Sequence, residues 1–147
     1  MMTETAPQAI QVLHVKKDVL IAAPIDVVFE TVLEPMGPMA EMGLKLEAWP
    51  GGRWYRDLGN NTGHLWGHVQ VIKPPKLLEL VGPMFMSYPV ASHLQYRLTE
   101  EGSGTRLSLV HEAIGLISPE HRTGVDKGWS ENLAAIRAAA EAKRGKR

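Results

Sequence analysis

Apolar residues along this chain follow two rhythms, a period of two through most of its length and a period near 3.6 at two places. Ile10 to Ile21 is rich in aliphatic and β-branched residues and is interrupted by Lys16, Lys17 and Asp18. It predicts a long strand, bulged near those charges. Ala23-Pro24 ends it, and proline suits the first position of a helix, where its missing N–H costs nothing. Val28, Phe29, Val32 and Leu33 then form a stripe at helical spacing, which predicts a short helix ending near Glu34-Pro35. Glu34 to Gly43 has no periodicity and carries Met36, Met39 and Met42. Strand-like runs follow at Leu44 to Trp49, Arg53 to Leu58, His64 to Ile72 and Leu77 to Val81. Turn residues divide them: Pro50-Gly51-Gly52, Gly59-Asn60-Asn61-Thr62-Gly63 as a hairpin signal, and Pro74-Pro75.

Gly82 to Pro89 is a second irregular segment, holding Met84, Phe85, Met86 and Tyr88. Beyond it the alternation is regular. Ser92, Leu94, Tyr96 and Leu98 share one strand face, and across a glycine-rich turn Thr105, Leu107, Leu109 and His111 share another. These two runs predict an antiparallel hairpin. Ser118-Pro119-Glu120 then starts a long helix with an N-cap, a first-turn proline and an acid near the positive end of the dipole. Trp129, Leu133, Ile136 and Ala140 fall on one face of it. Gly124 and Gly128 weaken its first turns and predict a kink or an irregular start.

The element order is strand, short helix, about six strands, long amphipathic helix. It predicts an α+β chain in which a strongly curved antiparallel sheet of about six or seven strands wraps on the C-terminal helix, leaving a cleft between them. A single domain is expected over residues 10–144, with a disordered arm over 1–9 and a basic tail over 145–147.

Composition narrows the chemistry. The chain has 147 residues, enough to bury a core without staples. Sixteen basic side chains balance sixteen acidic ones, so no overall field favours nucleic acid. The absence of cysteine excludes disulfides, thiolate metal sites and cysteine nucleophiles. Neither a secretory leader nor a run of roughly 20 apolar residues is present, so no membrane span is expected and a cytoplasmic location is the expectation. No phosphate-binding glycine loop, nucleophile elbow or carboxylate dyad stands out.

Several motifs in order resemble one family. They are Ile21-Ala22-Ala23-Pro24 followed by Val28-Phe29, then Gly51-Gly52-Arg53-Trp54, Gly67-His68-Val69 with Pro74-Pro75, Gly104-Thr105-Arg106-Leu107 with His111, and Gly128-Trp129 with Leu133. Together they resemble the family homologous to the activator of the heat-shock-protein-90 ATPase, within the START-like (SRPBCC) helix-grip superfamily. The resemblance runs from about Val19 to the end of the last helix. It implies the helix-grip fold and a cavity that takes lipids, hormones, polyketides or other apolar molecules, with enzymes among some members. Two departures bear on function: the first helix has no tryptophan, and a methionine-rich segment follows it. Activation of a heat-shock ATPase is not expected, since a dedicated activator carries a further domain beyond these residues.

Trp54, Trp66, Tyr96, Leu109, Trp129 and Leu133 are the expected walls of the cavity. Met36, Met39, Met42, Met84 and Met86, with Phe85, are the expected mouth, since methionine adapts to varied apolar shapes. Gap-filling beneath two loops is the alternative for the methionines. His64, Trp66 and His68 read as one strand face. The two histidines lie roughly 13 Å apart along a strand, too far for one metal ion, and no metal site is expected. His111 shares a face with Leu107 and Leu109, where it either orients a ligand's polar head, acts as a base, or sits hydrogen-bonded in the core.

The reading that follows is a cavity for an apolar small molecule, without cofactor and with no identified catalytic residue. The alternatives are an enzyme of cyclase, hydratase or hydrolase type, pairing His111 with Asp57 or His68, and a chaperone-associated interaction domain. A homodimer through the outer sheet face or an edge strand is a further expectation.

Overall fold

A computed structural model describes residues 9–145. Most of the arm and of the basic tail thus lie outside the described residues. Seven strands form one antiparallel sheet in the order β1-β7-β6-β5-β4-β3-β2. They are β1 (Gln11–Ile21), β2 (Leu44–Leu46), β3 (Arg53–Gly59), β4 (Thr62–Lys73), β5 (Leu77–Gly82), β6 (Val90–Glu101) and β7 (Gly104–Gly115). Helices α1 (Ile25–Val32) and α2 (Pro38–Glu41) lie between β1 and β2, and α3 (Pro119–Arg144) closes the chain. This is the α+β helix-grip architecture.

Alternation places the core on one side of the sheet. Leu13, Val15 and Ile21 of β1, Leu94, Tyr96 and Leu98 of β6, and Leu107, Leu109 and His111 of β7 are all buried. The stripe Val125, Trp129, Leu133, Ile136 and Ala140 of α3 covers them. The outer face is more polar, although Val12, Leu20, Leu65 and Ile114 are exposed on it.

Two local expectations are corrected. β1 carries no bulge, since its register with β7 is unbroken from Gln11↔Gly115 to Ile21↔Thr105. Its inward Lys17 is accommodated by an ion pair of 3.1 Å with Asp126 on α3. Helix α3 likewise runs through Gly124 and Gly128 without interruption. Ser118 caps it by accepting from the His121 N–H, and Lys143 near its end pairs with Glu34 at 2.8 Å.

The bulge lies in β4 instead. Trp54 pairs with Gly67 but its neighbour Tyr55 pairs with Leu65, leaving Trp66 as the extra residue. Trp66 and Val69 are both buried three residues apart, so the alternation has slipped by one. His68 therefore points outward, opposite Arg53, and does not share a face with Trp66. Gly67 permits this, because a Cβ there would collide with the Val81 carbonyl oxygen of β5.

Candidate functional site

Between the inner face of the sheet and the first half of α3 lies a cavity of about 260 Å³. Helix α3 supplies His121, Gly124, Val125, Gly128, Trp129 and Asn132 to its lining, with Glu120 near the helix start. The sheet and the β5–β6 connection supply Trp66, Met84 and Phe85. Pro38, Met39 and Met42, in and just after α2, complete it. The volume falls just below the roughly 300–1,000 Å³ usual for small-molecule pockets, so it suits a compact guest.

The bulge aims Trp66 at this space, and the β5–β6 connection is fastened to it. The Met84 N–H donates to the Trp66 carbonyl at 2.8 Å. Met84 has φ 60, a left-handed conformation that costs a non-glycine residue on the order of 1 kcal/mol. That hydrogen bond and the complete burial of its side chain hold it there. A run of edge-on rings follows: Trp54 to Trp66 at 5.1 Å, Trp66 to Phe85 at 5.8 Å, and Phe85 to His121 at 5.1 Å.

Three polar groups brace the walls. Tyr88 Oη accepts the Ser118 N–H at 3.2 Å and lies in hydrogen-bond contact with His121 Nδ1 at 2.8 Å. The other ring nitrogen, His121 Nε2, has no hydrogen-bond partner among the described residues. Asn132 is buried and fully used: Oδ1 accepts from the Tyr96 hydroxyl at 2.8 Å, and Nδ2 donates to the Met36 carbonyl at 3.1 Å. Burial pushes the Tyr96 phenol above its ordinary value, so it remains a neutral donor.

His111 is the third. The Trp129 indole Nε1–H donates to His111 Nδ1 at 3.0 Å, and His111 Nε2 meets Ser92 Oγ at 3.1 Å. The indole can only donate, so His111 carries its proton on Nε2 and gives it to Ser92. Burial lowers its pKa from 6.5 to about 4. His111 does not line the cavity; it fixes the tryptophan that does.

Of the expected walls and mouth, the cavity brings together Trp66, Trp129, Met39, Met42, Met84 and Phe85, while Met86 is buried in the core outside the lining. Trp54 and Tyr96 stand behind it, Leu109 is core beneath it, and Leu133 faces β1 along α3. Met36 contributes its carbonyl to Asn132, while its side chain is half-buried outside the lining. The pairings of His111 with Asp57 or His68 do not form, because Asp57 and His68 are exposed on the outer side. Sequence reasoning missed Pro38, Glu120, His121, Gly124, Val125, Gly128 and Asn132 as lining residues.

The hinge of the methionine wall is Gly37. Its φ is 63, and a Cβ there would stand 3.2 Å from the Glu131 carbonyl oxygen and 3.3 Å from the Asn132 Cα. Gly37→Ala is expected to lift α2 off α3 and destabilise the fold by about 1–2 kcal/mol, read by urea unfolding. An unchanged midpoint would show that the close approach carries no weight.

Comparison with known proteins agrees with this geometry. The model of the family described as activator of Hsp90 ATPase homolog 1-like protein matches residues 22–141. The chain belongs to this family. No curated protein matches its sequence. Among solved structures, an uncharacterised protein from Rhizobium leguminosarum superposes with a TM-score of 0.71 at 16% identity, covering 93% of this chain and 99% of that one. CalU16 from Micromonospora echinospora gives 0.59 at 22% identity, with 95% of each chain covered. The di-domain ARO/CYC StfQ of the steffimycin biosynthetic pathway gives 0.63 at 14% identity, covering 91% of this chain and 52% of StfQ. At these identities the structural likenesses show a shared fold. No helix among the described residues is long and apolar enough to cross a membrane.

Proposed function

We propose that the chain binds a compact apolar molecule, ringed rather than long-chained, between its sheet and α3. The carrying observation is the cavity itself, whose walls are Trp66, Phe85, Trp129 and three methionines. Rings from both the sheet and α3, with flexible thioethers between them, favour a flat body. The volume excludes most of a lipid chain. His121 supplies one polar atom at the edge, Nε2, suited to a hydrogen bond with a polar group of the guest. StfQ, an ARO/CYC of a biosynthetic pathway, supports the reading to the extent that the same fold serves small-molecule chemistry there.

The test uses the two helix glycines. A Cβ at Gly128 meets nothing within 4 Å, although the residue lines the cavity. Gly128→Leu therefore fills the cavity while improving helix propensity by nearly 1 kcal/mol. N-phenylnaphthylamine, a neutral fluorescent apolar dye, is expected to bind the wild type and to bind G128L at least about tenfold more weakly. The thermal midpoint is expected to hold or rise. Equal dye affinity in the two proteins would place binding elsewhere and end this reading.

A further inference from the structure

At its β3–β4 end the inner face carries a cross-strand pair, Arg56 and His64. Both are half-buried and stand outside the cavity lining, bordering an open depression of the β3–β4 hairpin beside its Trp66 side. Arg56 lies two residues beyond buried Trp54, roughly 7 Å along the strand. His64 meets the ring of Trp66 edge-on at 6.3 Å, and Trp66 lines the cavity. Arg56 also faces Leu44 of β2, two residues past Met42 of the cavity wall.

The Arg56 guanidinium makes no hydrogen bond or ion pair with any described residue. Its Nε is the buried side-chain nitrogen left without a partner among the described residues. Other arginines contrast with it: Arg53 grips Glu47 with two bonds, and Arg106 holds Glu101 and Asp18. The adjacent carboxylate, Asp57, borders the same depression but makes no ion pair with Arg56 and accepts from the Gly59 N–H instead. A buried donor without an acceptor is costly, and a guanidinium fork fits two oxygens of one anion.

We infer that the guest of the cavity is an amphiphilic anion, its apolar body among the rings and methionines and its acidic group on Arg56. His64 is the second donor beside that group. This assignment rests on the binding function proposed above and adds the charge of the ligand. It makes Arg56 a residue that selects acids over neutral molecules of the same shape.

Two dyes differing by one acidic group separate the two ideas. N-phenylnaphthylamine is neutral, and anilinonaphthalene sulfonate is the same skeleton with a sulfonate. Wild-type protein is expected to favour the sulfonate by about tenfold to a hundredfold, as a charge-assisted pair warrants. Arg56→Met is expected to erase that preference and leave the neutral dye unaffected, which also reports that the variant is folded. Arg56→Lys, which keeps the charge and loses the fork, is expected to retain part of it and covers the case of a misfolded R56M. A wild type without preference for the sulfonate, or a preference that survives R56M, overturns the assignment and leaves the cavity reading standing. Failure of both dyes to bind wild type removes both.

Discussion

Acidification from pH 7 to pH 4 is expected to remove about 3 kcal/mol of stability through His111 alone. Its folded pKa is about 4 because burial opposes the charged ring, against an ordinary value of 6.5. Between those values the unfolded chain takes up a proton that the folded chain refuses. The contribution is therefore complete above about pH 6.5 and declines as pH falls toward about 4, at about 1.4 kcal/mol per unit. Paired carboxylates act lower: its hydrogen bond to Arg53 brings Glu47 from 4.5 to about 2, so the loss from that pair develops below about pH 4.5. The comparison protein is His111→Phe. At pH 7 it is expected to be less stable by about 2 kcal/mol, since the Trp129 N–H is left buried without an acceptor. Urea unfolding of both proteins across pH 7 to 4 is expected to show the gap closing as the wild type acidifies. Parallel profiles would mean that His111 is not held neutral by the core.

Much of this arrangement was legible in the sequence because two signals are strong in it. The alternation through Ser92 to Leu98 and Thr105 to His111 fixed the central hairpin and its inward face, as the pairing of Tyr96 with Leu109 shows. The helical stripe through Trp129 and Leu133 fixed which side of α3 meets the sheet. What was not legible was local. A bulge at Trp66 shifts the parity of β4 by one, and no residue type announces it beyond Gly67, so simple alternation gives Trp66 and His68 a shared face that they do not have. Gly124 and Gly128 read as weak points, although with His121, Val125, Trp129 and Asn132 they form one stripe of α3. Glycine on that stripe is where the cavity gets its room. His111 was visible as a polar residue on an apolar face, but its partner Trp129 lies on another element, and only packing could show which alternative held.

Asn132→Leu is expected to cost about 3 kcal/mol and to weaken dye binding as well, because Asn132 joins three elements at one buried point. The two ends of its side-chain amide satisfy a donor on β6 and an acceptor in the loop before α2. Leucine keeps the volume but leaves the Tyr96 hydroxyl and the Met36 carbonyl unpaired, at about 1–3 kcal/mol each when fully buried, partly offset by the apolar gain. Tyr96→Phe removes one of those groups by itself and is expected to cost about 1–2 kcal/mol. The double variant Y96F/N132L has lost the hydroxyl together with its acceptor, so no donor is stranded at that contact. Its loss is expected to fall short of the sum of the singles by about 1 kcal/mol. Additive losses would mean that the pair is not coupled. The Met36 bond gives the functional consequence: without it, the segment carrying Met39 and Met42 is held to α3 by packing and no longer by this hydrogen bond. N-phenylnaphthylamine affinity is then expected to fall in N132L and to stay near wild type in Y96F, which leaves the Met36 bond intact. Equal loss in both variants would show that general destabilisation, and not the seating of the methionine wall, governs the cavity.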